Sequence, residues 1–501
     1  MGYDFKKLYY ASEQPRSGGL PLRGSPEAYE SRYGERFDLY RPWFIAYRRD
    51  VSEPAFSYMT GLLCCERGKA NMERMEEAIG DLEYHQYQQF ISNSPWDYKA
   101  VIGKVGEDAN QVMQKEREKR GQFTGLIIDE SAHLKSGDKS VGVSRQYAGV
   151  VGKVENCQVG VYASICSGER SCLINERLFL PECWIGDEKR CEEAGIPVEA
   201  RVYKSKPVLA LEMIDEAVAK GIDFDWIGGD GLYGHSYEFA RGLDERGLFF
   251  VLDVHKDQQI YLQAPTISIP GQPRSGGYPK NRKGRKPTRP VADGASVRAD
   301  EYVESLPDEA WQKVRIRKTA KGWLKAWIHI RQVWVWDGEE SQARKRTLMV
   351  RKSIPQSSVL SLSKGGGEKK EIKYSLSNGS PQQYRIGEFA YFQAQRYWVE
   401  RDFQNAKSEL GMSDYQVRKW LGWHHHHAIL FMALLFMLQE RLDHETQYPL
   451  MSVRDARIMV TTLIAETMLQ NEPEMLRQIR LMKERHYKRK FDIDRNYLRD
   501  G

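Results

Sequence analysis

The sequence predicts a multidomain α/β protein: a mixed-sheet core interrupted by a β-rich insertion, with helical N-terminal and C-terminal regions. Three observations predict it. At 501 residues the chain is too long for one ordinary core, so two to four structural units are expected. Hydrophobic residues make up 41% and charged residues 29%, the balance of a globular chain rather than a disordered one. Short β-branched runs alternate with amphipathic helical stretches through the middle of the chain, as in layered α/β architecture.

Taken in order, residues 1–40 are rich in Gly, Pro, Ser and Arg and read as a loosely ordered lead-in. Residues 41–120 are helical: Tyr58, Leu62 and Leu63 share a face, and Met72, Met75, Ile79 and Leu82 follow at helical spacing. The break at Glu66-Arg67-Gly68-Lys69 suits a helix-turn-helix and a plain helical bundle equally. Either way, this small unit reads as a basic, DNA-binding domain. Residues 121–255 then change texture. A run closing on Asp129 is followed by strands at Gln158–Cys166 and Ser171–Leu180. An amphipathic helix, Lys206–Lys220, opens with Pro207. Next come a strand from Phe224 to Gly229 closing on Asp230, a helix at Ser236–Arg246 and a strand at Leu248–Val254. Three strands, then helix, strand, helix, strand is the order of an RNase H-like core.

Residues 256–385 read as the β-rich insertion domain. It opens on a basic stretch carrying Arg274, Lys280, Arg282, Lys283, Arg285, Lys286 and Arg289 and no acid. Strand-like runs follow at Val314–Arg317, Trp323–Val335, Arg346–Val350 and Ile372–Ser377. Helical periodicity returns over residues 386–440, the second part of the core, and residues 441–501 form a helical, basic C-terminal region.

Bulk properties exclude several classes. The net charge of +6 is modest, so phosphate binding would reside in local basic runs. The seven cysteines are odd in number and none has C-x-x-C spacing, which argues for reduced thiols and against a zinc site. Met1 to Arg16 lacks an apolar signal core, and the longest apolar run, Ala428–Leu438, falls short of the roughly 20 residues a bilayer requires. The expectation is a cytoplasmic protein with no membrane partner.

The chemistry concentrates in three acids. Asp129 and Asp230 each close a buried strand. On adjacent parallel strands their carboxylates would emerge together at one sheet edge, and they would repel unless a cation lay between them. Strand-end aspartates are also common turn starters, so each alone means little. In the helix that follows, Phe392, Val399, Phe403, Ala406 and Leu410 form an apolar stripe, and Arg396, Glu400 and Lys407 share a neighbouring face. Alone, that face would be ordinary i,i+4 pairing. Beside two strand-end aspartates it completes a set that can hold two Mg²⁺ ions about 3.5–4 Å apart, with Mn²⁺ able to substitute, for in-line displacement at phosphorus. Asp129 would bridge both ions, Asp230 would hold one and Glu400 the other. Arg396 and Lys407 would grip the DNA backbone.

At these residues the sequence resembles the DDE transposases of bacterial insertion sequences, nearest the branch named after insertion sequence seven-hundred-and-one. The resemblance runs from about Tyr58 to about Leu438. It rests on Gly61-Leu62-Leu63, Ser94-Pro95-Trp96-Asp97, Leu126-Ile127-Ile128-Asp129-Glu130, Ser144-Arg145-Gln146-Tyr147, Asn156 to Val161, Ala194 to Pro197, and Gly229-Asp230-Gly231-Leu232-Tyr233-Gly234. The most specific motif is Tyr, two residues, Arg, three residues, Glu, six residues, Lys. Arg396, Glu400 and Lys407 fall on it, and Gly411, Tyr415 to Arg418, Trp420 and Trp423-His424 follow. Gln393 stands where the family has tyrosine, a residue that helps place DNA in relatives. The resemblance implies cut-and-paste transposition by a homodimer bound to two terminal inverted repeats, in a bacterial, nucleoid-associated setting. A nuclease on the same core that cuts without joining, or a catalytically silent DNA-binding repressor, are the rival readings.

Other features are less decisive. The run His424–His427 is a poor metal site, because neighbours on a helix point in different directions. Trp323, Lys325, Trp327, His329, Arg331 and Trp334 alternate as a nucleic-acid surface would, and equally as a half-buried strand with a Trp core face would. Arg274, Arg282, Lys283, Arg285 and Lys286 lack an apolar face and read as phosphate contacts, with Gln393, Trp323 and Arg418 as further DNA contacts. The second basic run, from Arg477 to Lys490, suits a solvated helix face or a DNA or partner contact equally.

Overall fold

The β-branched stretch beginning at Thr124 becomes the middle of a ten-stranded mixed sheet in the computed structural model, which describes residues 26–80, 82–269, 289–319, 322–354 and 371–470. Its centre is β1 (Thr124–Leu134), with β2 (Ser144–Ala148), β3 (Lys153–Ser167) and β4 (Arg170–Leu178) on one side. β3 runs antiparallel to β1 and carries both β2 and β4 on its far side. Helix α6 (Lys206–Ala219) begins on a Ser205 cap, with Pro207 in its first turn, and leads to β5 (Trp226–Gly229), which runs parallel to β1. The one-turn helix α7 (Gly231–Gly234) and helix α8 (Tyr237–Glu245) lead to β6 (Phe250–Val254), parallel to β5. Leu126, Ile127, Ile128, Trp226 and Ile227 are all buried. Helices cover both faces there, so the strands read as continuous apolar runs rather than alternating ones.

The segment read as a β-rich insertion domain adds four strands to this sheet. β7 (Gln312–Thr319), β8 (Gly322–Val335), β9 (Arg344–Ser353) and β10 (Ile372–Ser377) are antiparallel neighbours, and β10 pairs antiparallel with β6. Without them β6 would be an open edge with unpaired backbone groups. A second, smaller apolar cluster that includes Ile260, Val303, Trp311, Val333 and Leu348 underlies this extension. On β8, Ala326 and Ile328 are buried while Trp323, Lys325 and Trp327 are exposed. The tryptophans at this end of the strand face outward and are not its core face.

Two N-terminal expectations need correction. Helix α1 (Pro26–Asp38) lies within the stretch read as loosely ordered. Tyr33, Phe37 and Tyr40 are buried, and the Tyr33 ring sits 4.9 Å from Phe56 and 4.8 Å from Phe436. Aromatic burial anchors what composition alone suggested was loose. Helices α2 (Ser52–Cys64), α3 (Met72–Ile79), α4 (Tyr84–Ser92) and α5 (Tyr98–Arg120) follow. α2 is buried over most of its length, and α3 turns Glu73, Arg74 and Glu77 outward. A mostly acidic outer face does not suit phosphate, and across residues 41–120 acids and bases nearly balance. The unit is helical as expected, but its charge is not basic.

Helices α9 (Ile386–Gln395), α10 (Tyr397–Glu409), α11 (Trp420–Asp443) and α12 (Val453–Gln470) complete the described fold. α11 is, among the described residues, the one helix long and apolar enough to cross a membrane, but it lies inside the protein. Apolar on every side, it is a core helix. The four histidines at its start point four ways, as helical geometry requires. His424 Nδ1 meets Glu176 at 2.6 Å, His425 Nδ1 the Ile91 carbonyl at 3.0 Å, His426 Nδ1 the Tyr58 hydroxyl at 2.9 Å and His427 Nε2 the Tyr162 hydroxyl at 2.9 Å. They are core histidines. All seven cysteines are free thiols, and only Cys183 is exposed.

Candidate active site

Register brings the first two predicted acids together. Ile128 on β1 pairs with Gly229 on β5, so the next residue of each strand is an aspartate, Asp129 and Asp230. Asp129 sits inside β1, not at its end as the sequence suggested, because pairing with β3 carries the strand on to Leu134. Asp230 caps α7, its Oδ1 accepting from the Leu232 N–H at 2.9 Å. Gly234 closes that turn against β6: a Cβ there would lie 1.8 Å from the Asp253 carbonyl oxygen. Only glycine permits the approach that seats Asp230 beside β6.

β6 supplies an acid the sequence reading missed. Gly229 pairs with Leu252, so Asp253 continues the row from Asp129 and Asp230. Glu130 is a second omission. Oxygens of Asp129, Glu130 and Asp230 lie within 4.8 Å of one another, and Lys206 Nζ, at the start of α6, reaches Glu130 Oε1 at 3.2 Å. An acid following an acid on a strand, and an Asp in a run of Val and Leu, were the available signals.

Glu400 lies in the first turn of α10, its side chain 52% exposed. It stands outside the tight group of three acids and joins it through Arg396, at the junction of α9 and α10. Arg396 Nη1 is 3.2 Å from Asp129 Oδ2, Nε 3.1 Å from Asp253 Oδ2, and Nη2 2.7 Å from Glu400 Oε1. One guanidinium therefore spans the predicted first and third acids.

Electrostatics follow from this crowding. Burial, then the neighbouring Asp230 charge, pushes the Asp129 carboxyl well above its ordinary range, with Arg396 opposing. Burial likewise raises Glu130, whose Oε2 is buried without a hydrogen-bond partner. Burial alone would lower Arg396, but Asp129, Asp253, Glu400 and Asp230 outweigh it and raise its pKa. Clustered, partly buried carboxylate oxygens with an unpaired acceptor fit a hard divalent cation, which prefers oxygen donors.

The predicted DNA contacts fare less evenly. Arg396 is committed to three acids and does not reach outward. Lys407 Nζ donates to the Ala132 carbonyl at 3.0 Å, and burial pulls its pKa down to about 8. The cause is packing of α10 on β1, which turns this lysine inward. Gln393 is only 5% exposed and donates from Nε2 to Ser375 Oγ at 2.5 Å, so it cannot contact DNA as the structure stands. Arg418 is exposed, and its carbonyl accepts from Val141 N at 2.8 Å. Trp323 is 42% exposed, five strands along the sheet from β1. Arg274, Arg282, Lys283, Arg285 and Lys286, and the basic run from Arg477 to Lys490, lie outside the described residues.

Set against known proteins, residues 45–322 match the family model described as DDE superfamily endonuclease, more than half of the chain. The chain belongs to that family. Asp129 and Asp230 both lie within the matched residues. The chain is also 26% identical, over 229 residues, to the probable transposase for insertion sequence element IS701 of Microchaete diplosiphon. That match takes in 45% of this chain and 55% of the relative, so the chain spans about half the length of the curated relative it matches. A looser likeness, with a TM-score of 0.38 at 11% identity, is to a piggyBac transposase synaptic complex with hairpin DNA, covering 89% of this chain and 80% of that one.

Proposed function

We propose that this chain is a DNA transposase of the insertion-sequence type, built on an RNase H-like core, with Asp129, Asp230 and Glu400 as its metal-binding acids. The observation that carries the reading is the row of Asp129 and Asp230 on adjacent parallel strands, with Glu400 tied to Asp129 by a single guanidinium. The central strand order, three antiparallel strands followed by two parallel to β1, is the one expected of such a core. Divalent ions, Mg²⁺ or Mn²⁺, would supply Lewis acidity to the attacking and leaving oxygens of a phosphodiester. Asp129, between the other two, would be the shared ligand. Glu400, half exposed in the first turn of α10, would face the bound duplex.

Arginines around the start of α10 suit a DNA path. A groove of about 600 Å³ adjoins that helix and is lined by Arg170, Arg317, Arg401 and Arg441 with Tyr397 and Trp398, and also by Glu169 and Glu445, the latter paired with Arg170. Cationic and aromatic groups together favour a nucleic-acid backbone and bases. These replace Arg396, Lys407 and Gln393 as proposed contacts, while Trp323 and Arg418 remain exposed for that role. Pairing of two chains across two transposon ends belongs to the same reading.

Asp230→Ala tests it, using a duplex that carries the flanking terminal inverted repeats. The variant should lose cleavage while retaining DNA binding in a gel-shift assay; full cleavage would remove the assignment. Strand transfer of a pre-cleaved end into plasmid DNA separates a transposase from a nuclease that cuts without joining.

A further inference from the structure

We propose that Asp253 is a positioning residue that holds Arg396 beside the acid cluster, and that Gln393 sets it through Ser375, so that Asp129 and Glu400 can exchange the guanidinium for divalent cations. The inference rests on the reading of Asp129, Asp230 and Glu400 as the ion-binding acids.

Four groups form a chain in which each hydrogen bond has one possible direction. Gln393 Nε2 donates to Ser375 Oγ at 2.5 Å, and Ser375 Oγ donates to Asp253 Oδ1 at 2.6 Å. Arg396 Nε donates to Asp253 Oδ2 at 3.1 Å. Amide and guanidinium nitrogens can only donate, so the carboxylate at the centre accepts from both sides. Ser375 is fully buried and Gln393 nearly so, and Ser375 pairs with Asp253 in the β10–β6 register. The Asp253 carboxylate is therefore held from behind by two buried residues on two different elements.

Its outward oxygen decides where Arg396 stands. The guanidinium gives one nitrogen each to Asp253, Asp129 and Glu400. With Asp253 removed, Nε would be freed, and the fork could turn to grip Asp129 or Glu400 with two bonds, the stronger geometry for an arginine. It would then compete harder with any cation for those oxygens. With Asp253 in place, a guanidinium displaced from Asp129 and Glu400 keeps a charged partner, and no buried cation is stranded. This gives Gln393, which replaces the family tyrosine, a role inside the protein.

Mn²⁺ titrated into the full chain without DNA, with free Mn²⁺ followed by electron paramagnetic resonance, tests the proposal. Asp253→Asn should weaken binding by about tenfold, the scale of losing a group that orients a metal ligand. Ser375→Ala, which keeps every charge, should shift it the same way by less, and it carries the test if the aspartate variant fails to fold. Combining Asp253→Asn with Arg396→Gln should return affinity toward the wild-type value, because no guanidinium remains to compete. Wild-type affinity in folded Asp253→Asn and Ser375→Ala would overturn the proposal. So would a double variant as weak as Asp253→Asn, since Asp253 would then be a ligand itself. A wild-type chain that binds no Mn²⁺ would instead overturn the ion-binding reading beneath it.

Discussion

Arg396 Nη1 stands 3.2 Å from Asp129 Oδ2, and this contact joins the helix of the third acid to the strand of the first. Three of the chain's acids converge on that guanidinium from β1, β6 and α10. In the absence of ions it is the positive charge that lets them stand close.

Replacing Arg396 with glutamine should therefore destabilise the ion-free protein. Breaking a mostly buried ion pair by removing one partner costs about 3–5 kcal/mol; the half-exposed Glu400 contributes little of this. Mg²⁺ should recover part of the loss, so the melting temperature of the variant should rise more with added Mg²⁺ than that of the wild type. Equal rises would show that Arg396 and the ions do not share a place.

Glu400 and Glu130 are separable by substitution. Glu400→Gln should reduce DNA cleavage by at least about 100-fold, more than losing an outer group around a metal. Glu130→Gln should cost no more than about tenfold, because Glu130 is paired with Lys206. Steady-state cleavage of an end duplex at fixed Mg²⁺ measures both, and the reverse ranking would make Glu130 the third ligand.

Lys407 should contribute little to DNA affinity. Its ammonium is directed at the Ala132 carbonyl, so Lys407→Met should leave the dependence of binding on salt unchanged. A lost phosphate contact would lower the slope of log affinity against log salt by roughly one. Fluorescence anisotropy over a salt series distinguishes the two.

Asp402 should make stability depend on pH. It is buried on α10 and accepts from Ser164 Oγ at 2.6 Å and Ser171 Oγ at 2.7 Å. Burial pushes its carboxyl up to about 7, the two hydroxyls opposing. The folded state thus keeps a proton that the unfolded chain has lost, and this contribution to stability falls as pH rises from about 4 to about 7. Asp402→Asn should remove it, raising the melting temperature relative to wild type more at pH 8 than at pH 4. An equal offset at both values would place the carboxyl in its ordinary range.

Much of the candidate site was legible. Asp129 and Asp230 each follow apolar runs of strand length, and the period of residues 392–410 put Arg396, Glu400 and Lys407 on one helix face. Asp253 left only a faint mark, an aspartate in a run of Val and Leu, and nothing local said which strand would bring it beside Asp230. Glu130 was hidden for another reason: strand alternation assigns it to the opposite face from Asp129, yet in the fold their oxygens lie within 4.8 Å of each other. Lys407 misled because sharing a face with Glu400 says nothing of which neighbour that face meets. For residues 256–385 the strands were legible but not their place in the sheet, since strand-forming residues do not name their partner strand.

The amino-acid order by itself determined most local facts: the apolar runs that become the central strands, the helix face that carries Arg396, Glu400 and Lys407, and that the four histidines could not converge. Tertiary structure alone decided the relations between distant segments. β10 closed the edge of β6, and packing of α9 and α10 against that sheet put Arg396 among three carboxylates. Periodicity is a property of a few consecutive residues, set by backbone geometry. Pairing between strands more than a hundred residues apart is chosen by the energy of the whole fold, and charge at a site is the sum over all that the fold assembles there.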